Sequence, residues 1–195
     1  MRWDKNKKPL SWSALSLFWY DREEWYKKYV LNKKQKTATI QMTFGNTVGD
    51  SLATVTPLVG GVVTYPAMEY VLKAPFCDIY LTGKIDSYDT EKKLMREYKT
   101  SCNPKKWNQK SVDSHGQLTM YAFILYLQYG IKPEDLTIHL DYIPVEENFD
   151  GTMSVCKPHK VYTYETKRTL RECLLFGAEI NKTVKEMESY AQNHA

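Results

Sequence analysis

The sequence from Leu81 to Ser101 is Leu-Thr-Gly-Lys-Ile-Asp-Ser-Tyr-Asp-Thr-Glu-Lys-Lys-Leu-Met-Arg-Glu-Tyr-Lys-Thr-Ser. It predicts a first strand from about Ile79 to Tyr88 and a second from about Leu94 to Thr100. The segment Asp-Thr-Glu-Lys-Lys between them has the composition of a polar turn. These residue types, in this order, therefore predict a β-hairpin at the centre of the chain.

Three charged side chains of this hairpin are expected to meet. Side chains alternate between the two faces of a strand, so Glu97 and Lys99 point the same way. A turn near Glu91 places Asp86 opposite Arg96, one residue from Glu97. Asp86, Glu97 and Lys99 are therefore predicted to converge on one small volume.

Two carboxylates and one ammonium group in a small volume are what a magnesium-dependent phosphodiester hydrolase needs. Carboxylates are hard oxygen ligands for a divalent cation that keeps several waters. The cation offsets negative charge on the phosphoryl oxygens and lowers the pKa of a bound water. A lysine beside the ion can hold that water and help it to lose its proton. The hairpin therefore points to metal-assisted hydrolysis.

The spacing of Glu97 and Lys99 is not specific by itself. A Glu-x-Lys pattern occurs three times in the chain, at Glu91/Lys93, Glu97/Lys99 and Glu165/Lys167. Neighbouring Glu and Lys residues usually form a solvated face. Only the Glu97 pair lies on a predicted strand that directly follows another strand with a Gly-x-x-Asp pattern, which favours it over the other two.

Short motifs follow one another along the chain, namely Ser-Trp-Ser-Ala-Leu-Ser-Leu-Phe at 11–18, Phe44-Gly45-Asn46-Thr47-Val48, Gly83-Lys84-Ile85-Asp86 with Glu97-Tyr98-Lys99-Thr100, and Gln117-Leu118-Thr119-Met120-Tyr121. In this order and spacing they resemble the PD-(D/E)XK nuclease superfamily, and specifically its RecB-like branch. That branch includes recombination, CRISPR-adaptation and phage exonucleases. Because each motif is short, their order and spacing carry the specificity.

The resemblance implies a fold and a set of roles. The fold is α/β, with a restriction-endonuclease-like core in which helices flank a mixed central β-sheet. It covers residues 1–195 as one nuclease domain, of which residues 1–10 are expected to be a mobile lead-in. Asp86, Glu97 and the main-chain carbonyl of Tyr98 would bind Mg²⁺ or Mn²⁺, and Lys99 would orient and activate the attacking water. The implied activity is a metal-dependent DNA nuclease, with exonuclease action expected.

Gln117 and Tyr121 are the residues of the Gln-x-x-x-Tyr motif. They are four residues apart on a predicted helix and so share one face. Taken from the helix alone, a structural polar contact is the favoured interpretation of Gln117. The resemblance instead implies that the two residues hold the site or the DNA strand.

One position departs from the family pattern. The family usually has a metal-binding His four residues after the Gly of its first motif, and here that position is Gly49, followed by Asp50. Either Asp50 takes the ligand role, or Glu69 takes it, or the first metal site lacks one ligand. The departure leaves open whether the site binds one metal ion or two, and it keeps a catalytically impaired binding module as an alternative.

Composition is that of an ordinary globular chain. Of the 195 residues, 43% are hydrophobic and 26% are charged, and no apolar run has the length of a membrane span. No apolar segment follows the basic N-terminus as a signal peptide requires, so a cytoplasmic location is expected. The scattered cysteines predict reduced thiols and no iron–sulfur cluster. The Cys156/His159 pair has zinc-ligand spacing, but without a second pair it is interpreted as coincidental.

The net charge of +4 is compatible with nucleic-acid binding but does not require it. Lysines cluster, which suits contact with phosphates and equally suits solubility. The expected partner is single- or double-stranded DNA, with RNA as an alternative substrate, and a recombination or replication protein as a further partner. Trp107, between lysines, either stacks on a base or packs against the domain.

Periodicity predicts the remaining elements. Helices are expected at about Ser13–Val30, from near Phe44 through Val55, at Val112–Tyr129 and at Thr166–Tyr190, and strands at Val62–Tyr65, Glu69–Leu72, Leu136–Val145 and Lys157–Tyr164. Ser11 or Ser13 is expected to cap the first helix.

Overall fold

A mixed β-sheet runs through the computed structural model, which describes residues 9–33, 39–53, 67–158 and 160–194. The strands are β1 (Leu10–Ser11), β2 (Ala67–Phe76), β3 (Ile79–Asp89), β4 (Leu94–Ser101), β5 (Thr137–Glu147), β6 (Met153–Val155) and β7 (Tyr162–Thr166). The α-helices are α1 (Trp12–Tyr20), α2 (Arg22–Trp25), α3 (Ile40–Ala53), α4 (Gln109–Asp113), α5 (Gly116–Tyr129) and α6 (Leu170–Asn193). A π-helical turn (Tyr26–Val30) follows α2, and a 3₁₀ turn (Pro133–Asp135) precedes β5.

The sheet combines parallel and antiparallel pairs. β2, β3 and β4 are joined by antiparallel pairing, β4 and β5 run parallel along the whole of β4, and β7 lies antiparallel to β5. Short β1 runs parallel to β3, and β6 pairs with the end of β5. Helices pack around this sheet, so the predicted mixed sheet flanked by helices is confirmed. The predicted strand at Val62–Tyr65 and the zinc-ligand partner His159 lie outside the described residues.

The central hairpin forms where it was predicted, but its register differs. Ser87, not Asp86, is the partner of Arg96 in the β3–β4 ladder. The turn is therefore centred between Glu91 and Lys92, half a residue later than expected, and the pairing shifts by one position. Arg96 pairs instead with the buried carboxylate of Asp141 on β5.

The first predicted helix is interrupted. Asp21 adopts an extended conformation, and its side chain accepts a hydrogen bond from the Glu24 main-chain nitrogen, so it ends α1 and caps α2. An Asp followed three residues later by Glu is a helix-start signal, and it lies inside the pattern that predicted one helix. Ser11 caps α1 as expected, accepting from the nitrogen of Ala14. Leu10, which was placed in the mobile lead-in, is buried and pairs with Leu81, whereas residues 1–8 lie outside the described residues.

Helix α5 is the centre of the larger core. Its residues 120–125 are all buried, so the helix is in contact with other elements nearly all round. The predicted helix start at Val112 belongs to the separate helix α4, because the chain turns at Ser114 and His115. Helix α6 begins at a Thr169 capping box and packs mainly against α5. Leu174 on this helix is 53% exposed.

A second, smaller core joins α3 to the opposite side of the sheet. Val48 and Leu52 of α3 pack with Ile143 and Val145 of β5, and Tyr98 packs beside them. This contact brings α3 against the β4 region that carries Glu97 and Lys99. No helix within the described ranges is long and apolar enough to span a membrane.

Gly83 lets α5 approach β3 closely. A Cβ at Gly83 would lie 2.5 Å from Cε1 of the Tyr121 ring, closer than two carbon atoms can approach. The Tyr121 hydroxyl is bonded to the Lys84 carbonyl, so the ring has little freedom to move away. The absence of a side chain at residue 83 therefore sets the distance between α5 and the strand that carries Asp86.

We expect Gly83→Ala to lower the free energy of unfolding by about 2 kcal/mol, because the added methyl group overpacks a filled contact. Urea unfolding followed by circular dichroism measures the change. Gly49→Ala is the matched control, because no described residue lies within 4 Å of a Cβ there and the position is helical. That variant should be unchanged or more stable by up to about 1 kcal/mol. An equal decrease in the free energy of unfolding in both variants would contradict the packing argument.

Candidate active site

Asp86 is held at the point where β3 and β4 separate. The two strands pair only from Ser87 to Asp89 on β3, so the main-chain N–H groups further along β4 face no strand partner from β3. The Asp86 carboxylate fills this gap, because its Oδ2 accepts a hydrogen bond from the Tyr98 nitrogen at 2.8 Å. The separation of the strands therefore fixes the direction of one carboxylate.

The opposite edge of β3 is irregular at the same level. The β2–β3 ladder continues on both sides of Asp86 but is not formed between Glu69 and Asp86. Glu69 has φ +52°, a conformation that non-glycine residues rarely adopt. Its carboxylate is bonded to Lys84 at 2.6 Å. Backbone strain of this kind is often found at functional sites, and here it lies beside the carboxylate predicted from the sequence.

Glu97, which is buried, forms an ion pair with the partly exposed Lys99. Glu97 is 2% exposed, and its Oε1 lies 2.6 Å from the Lys99 ammonium nitrogen. Its other oxygen, Oε2, is buried and accepts no hydrogen bond within the described part of the chain. A buried carboxylate oxygen without a donor costs free energy, so this atom is available to a cation.

Asp86, Glu97 and Lys99 line one cavity, and the two carboxylates influence each other's pKa. Burial raises the pKa of Glu97 to about 7; Lys99 opposes this increase, and the nearby Asp86 adds to it. Burial also raises the pKa of Asp86, against the lowering effect of its bond from Tyr98. The predicted convergence of Asp86, Glu97 and Lys99 is thus present in the structure, although the register by which it was derived was wrong.

Lys99 keeps its proton at neutral pH. Burial acts to lower the pKa of the ammonium group, but the attraction of Glu97 and Asp86 outweighs burial, and the pKa is raised. A protonated lysine donates hydrogen bonds and accepts none. In this state Lys99 can orient a water and stabilise negative charge, but it cannot remove a proton itself.

The oxygen atoms of the site fit a hard divalent cation. Asp86, the Oε2 atom of Glu97 and the Tyr98 carbonyl are the donor type that Mg²⁺ and Mn²⁺ prefer. Asp50 and Glu69 line the same cavity, which has a volume of about 600 Å³. Within the described ranges, however, no group of three or more His, Cys, Asp or Glu residues is arranged as a metal site. The donor set therefore suits an ion that keeps several waters, and whether Asp50 or Glu69 is a ligand stays open.

Gln117 and Tyr121 form a chain of hydrogen bonds that ends on β3. The Gln117 side-chain nitrogen donates to the Tyr121 hydroxyl at 2.7 Å, and this hydroxyl donates to the Lys84 carbonyl at 2.8 Å. Burial raises the pKa of Tyr121, so it remains a donor at neutral pH. These contacts support the expectation that Gln117 and Tyr121 hold the site. Gln117 also lines an adjacent cavity, where a ligand can contact it.

That adjacent cavity, of about 530 Å³, meets the first at Met42 and Lys99. It is lined by one face of α1, including Trp12, Ser13, Ser16 and Tyr20, and by Lys28. The two cavities together form a groove that passes the ion pair. The sequence did not predict that Lys28 lies at this cavity. Trp107 lies elsewhere, buried against His115, which supports packing over base stacking.

This fold is shared with solved exonuclease structures. A candidate exonuclease from Eubacterium rectale matches at a TM-score of 0.62 and 11% identity, over 97% of this chain and 84% of its own. A phage-related exonuclease from Haemophilus somnus matches at 0.56 and 12%, over 88% of this chain and 79% of its own. The LHK-Exo structure in complex with dAMP matches at 0.53 and 11%, over 95% of this chain and 90% of its own. No protein-family model and no curated protein matches the sequence.

At these identities the likeness establishes the fold. It confirms the predicted α/β architecture with a restriction-endonuclease-like core, and it places the chain among folds used by exonucleases. The RecB-like branch remains a prediction that rests on the short motifs.

We expect Gly49→His to tighten Mn²⁺ binding by about tenfold or more, because it adds a nitrogen ligand to the cavity that holds Asp86 and Glu97. Gly49 lines this cavity, and a side chain there meets no described atom within 4 Å of its Cβ. Isothermal titration calorimetry with Mn²⁺ measures the effect. Gly49→Ala should bind like the original protein. An unchanged affinity in the His variant would mean that residue 49 does not face the ion.

The metal-free protein should lose stability as the pH rises from about 5 to 7. In this window the unfolded chain has released the Glu97 proton, whereas the folded chain retains it, because the folded pKa of about 7 exceeds the ordinary 4.5. The folded state therefore binds more protons, and its stability falls with pH by up to about 3 kcal/mol. Urea unfolding in EDTA across this range measures the slope. In Glu97→Gln, the free energy of unfolding should fall clearly less with pH. An identical pH dependence in both proteins would contradict the assignment of this effect to Glu97.

Proposed function

We propose that this protein is a metal-dependent deoxyribonuclease, acting as an exonuclease, that hydrolyses phosphodiester bonds with an activated water. The observation that carries the proposal is that Asp86, buried Glu97 and Lys99 line one cavity, on a fold shared with exonucleases. Within this set, the Asp86 carboxylate accepts from a main-chain N–H group, and the Oε2 atom of Glu97 meets no hydrogen-bond donor among the described residues.

The carboxylates of Asp86 and Glu97 and the Tyr98 carbonyl would hold Mg²⁺ or Mn²⁺. When bound, such an ion offsets negative charge on phosphoryl oxygens and lowers the pKa of a bound water. The chain's own contribution is alignment and charge. The Asp86 carboxylate is fixed by the Tyr98 N–H, and Glu97 holds the Lys99 ammonium group in the cavity.

Lys99 acts as a fixed cation. Its ammonium group can donate to the oxygen of the attacking water, and a neighbouring positive charge favours loss of that water's proton. The same charge stabilises the negative oxygens that develop on the phosphorus. The lysine therefore orients and activates the water without serving as a base. Gln117 and Tyr121 hold the start of the Asp86 segment through the Lys84 carbonyl.

A second candidate is a nucleic-acid-binding module that has lost catalysis. It is favoured by Gly49 at the position of the family's metal-binding His, and by the absence of a three-acid cluster within the described residues. An RNA-processing nuclease is a third candidate, because metal-assisted hydrolysis can cleave the phosphodiester bonds of either DNA or RNA. Action with a recombination or replication protein in the cytoplasm remains a prediction.

We expect Lys99→Ala to lower the cleavage rate by about 10²- to 10⁴-fold while metal binding is retained, because the cation that orients the water is lost. Release of labelled nucleotides with Mn²⁺ measures the rate, and calorimetry measures the metal affinity. Lys167→Ala is the matched control, because it removes the lysine of another Glu-x-Lys pair, which bonds the Leu136 carbonyl. Wild-type cleavage by Lys99→Ala would exclude this role.

The choice among the three functions needs one set of substrates. Labelled single-stranded DNA, double-stranded DNA and RNA are incubated with Mn²⁺ and either the original protein or Asp86→Ala. Cleavage of DNA from an end by the original protein alone supports the exonuclease. Retention of DNA by both proteins without cleavage supports the binding module, and preferential loss of RNA supports the third candidate.

A further inference from the structure

A second aromatic and basic cavity lies at the β5–β7 side of the sheet. It has a volume of about 390 Å³ and is lined by Tyr142, Tyr162, Tyr164, Lys157 and Lys160, together with prolines. Of the described residues that line it, none is acidic. A cavity with flat rings, two ammonium groups and no opposing carboxylate is complementary to an aromatic ligand that carries negative charge.

The rings in this cavity are held in fixed positions. Tyr142 is 3% exposed, and its hydroxyl donates to the Ser101 carbonyl at 3.1 Å. The Tyr164 hydroxyl donates to the Trp107 carbonyl at 3.1 Å. Tyr162 stacks on Tyr142, with ring centroids 6.0 Å apart and an interplanar angle of 26°. Little conformational freedom would be lost when a further ring is added to this stack.

Tyr162 is the accessible member of the stack. It is 39% exposed, and the Lys160 ammonium nitrogen lies 4.7 Å from the centre of its ring. An exposed ring with an adjacent cation is the arrangement that stacks on an unpaired base while the cation contacts phosphate.

The register of the sheet relates this cavity to the active site. Tyr142 is the partner of Lys99 in the parallel β4–β5 ladder, and Tyr162 is the partner of Tyr142 in the β5–β7 ladder. The three side chains therefore emerge on one face of the sheet, across two strand spacings or about 10 Å. Thr100 lines the active-site cavity and Pro104 lines the aromatic one, so the segment that leaves β4 separates them.

We propose that the β5–β7 cavity is an accessory site that stacks an unpaired base of single-stranded nucleic acid on Tyr162, with Lys160 on the adjacent phosphate. The site rests on the proposed nuclease function, and it would hold the same strand that passes Lys99. It gives the protein a preference for unpaired over paired bases, because a base in a duplex does not expose its face.

The test is binding of a fluorescein-labelled single strand of about 16 nucleotides to the full chain in EDTA, measured by fluorescence anisotropy. Tyr162→Ala should weaken binding by about tenfold, and Tyr162→Trp should retain it, because stacking needs a ring and not a hydroxyl group. A strand with abasic positions should bind weakly and should be insensitive to Tyr162→Ala. Lys160→Ala should reduce the slope of log affinity against log salt by about 0.7.

Tyr80→Ala is the matched control. Tyr80 is also exposed, at 45%, and Lys73 lies 4.8 Å from its ring on the other side of the sheet. This variant should bind the strand like the original protein. Circular dichroism shows whether each variant is folded. If Tyr162→Ala does not fold, Lys160→Ala provides the test, because Lys160 lies at an exposed position.

Three results would overturn the inference: unchanged binding by folded Tyr162→Ala, an equal loss in Tyr80→Ala, or equally tight binding of the abasic strand. Capture of a proline-rich peptide instead of the oligonucleotide would also overturn it, since tyrosines and prolines suit such a peptide. Failure of the proposed function is distinguishable. If Tyr162→Ala weakens binding in EDTA but the original protein cleaves nothing with Mn²⁺, the accessory site is supported and the proposed nuclease function is wrong.

Discussion

The hydrogen bond from the Tyr98 main-chain nitrogen to the Asp86 carboxylate is the contact on which the candidate site depends. Where β3 and β4 separate, a main-chain donor loses its strand partner and needs another acceptor. A side-chain carboxylate supplies it, so one acidic group is placed by the same requirement that builds a β-sheet. Glu97 and Lys99, on either side of Tyr98, are then brought beside Asp86 without any further element.

Gathering these charges has a cost that the protein only partly offsets. Lys99 neutralises one carboxylate of the pair, yet burial still raises the pKa of both Asp86 and Glu97, and Asp86 adds to the increase at Glu97. A buried carboxylate oxygen without a donor adds to the cost. Such an arrangement is difficult to explain as a device for stability, because an apolar pair would be cheaper. It is consistent with the proposal that a divalent cation binds there.

Local sequence patterns predicted the elements and the convergence of the three charged residues, because a hairpin brings neighbours in sequence together. They failed where position depends on distant segments. The positive φ of Glu69 lies at a break in the β2–β3 ladder, and Lys28 reaches the groove because the turn after α2 folds beside α1. The stack of Tyr142 on Tyr162 likewise depends on the β5–β7 register, which no local pattern specifies. The predicted register of the β3–β4 hairpin was wrong because of a small local error. When the centre of the turn is displaced by half a residue, every residue of one strand pairs with a different residue of the other.

The hydrogen-bond chain from Gln117 through Tyr121 to the Lys84 carbonyl connects the groove to the segment that carries Asp86. A nucleic acid strand that draws Gln117 away from Tyr121 would alter how firmly Asp86 is aligned two residues further on. Thermodynamics makes such an influence reciprocal, so an ion bound at Asp86 would change the affinity for the strand by the same factor. Occupancy of the groove and assembly of the reaction centre would then be one cooperative event.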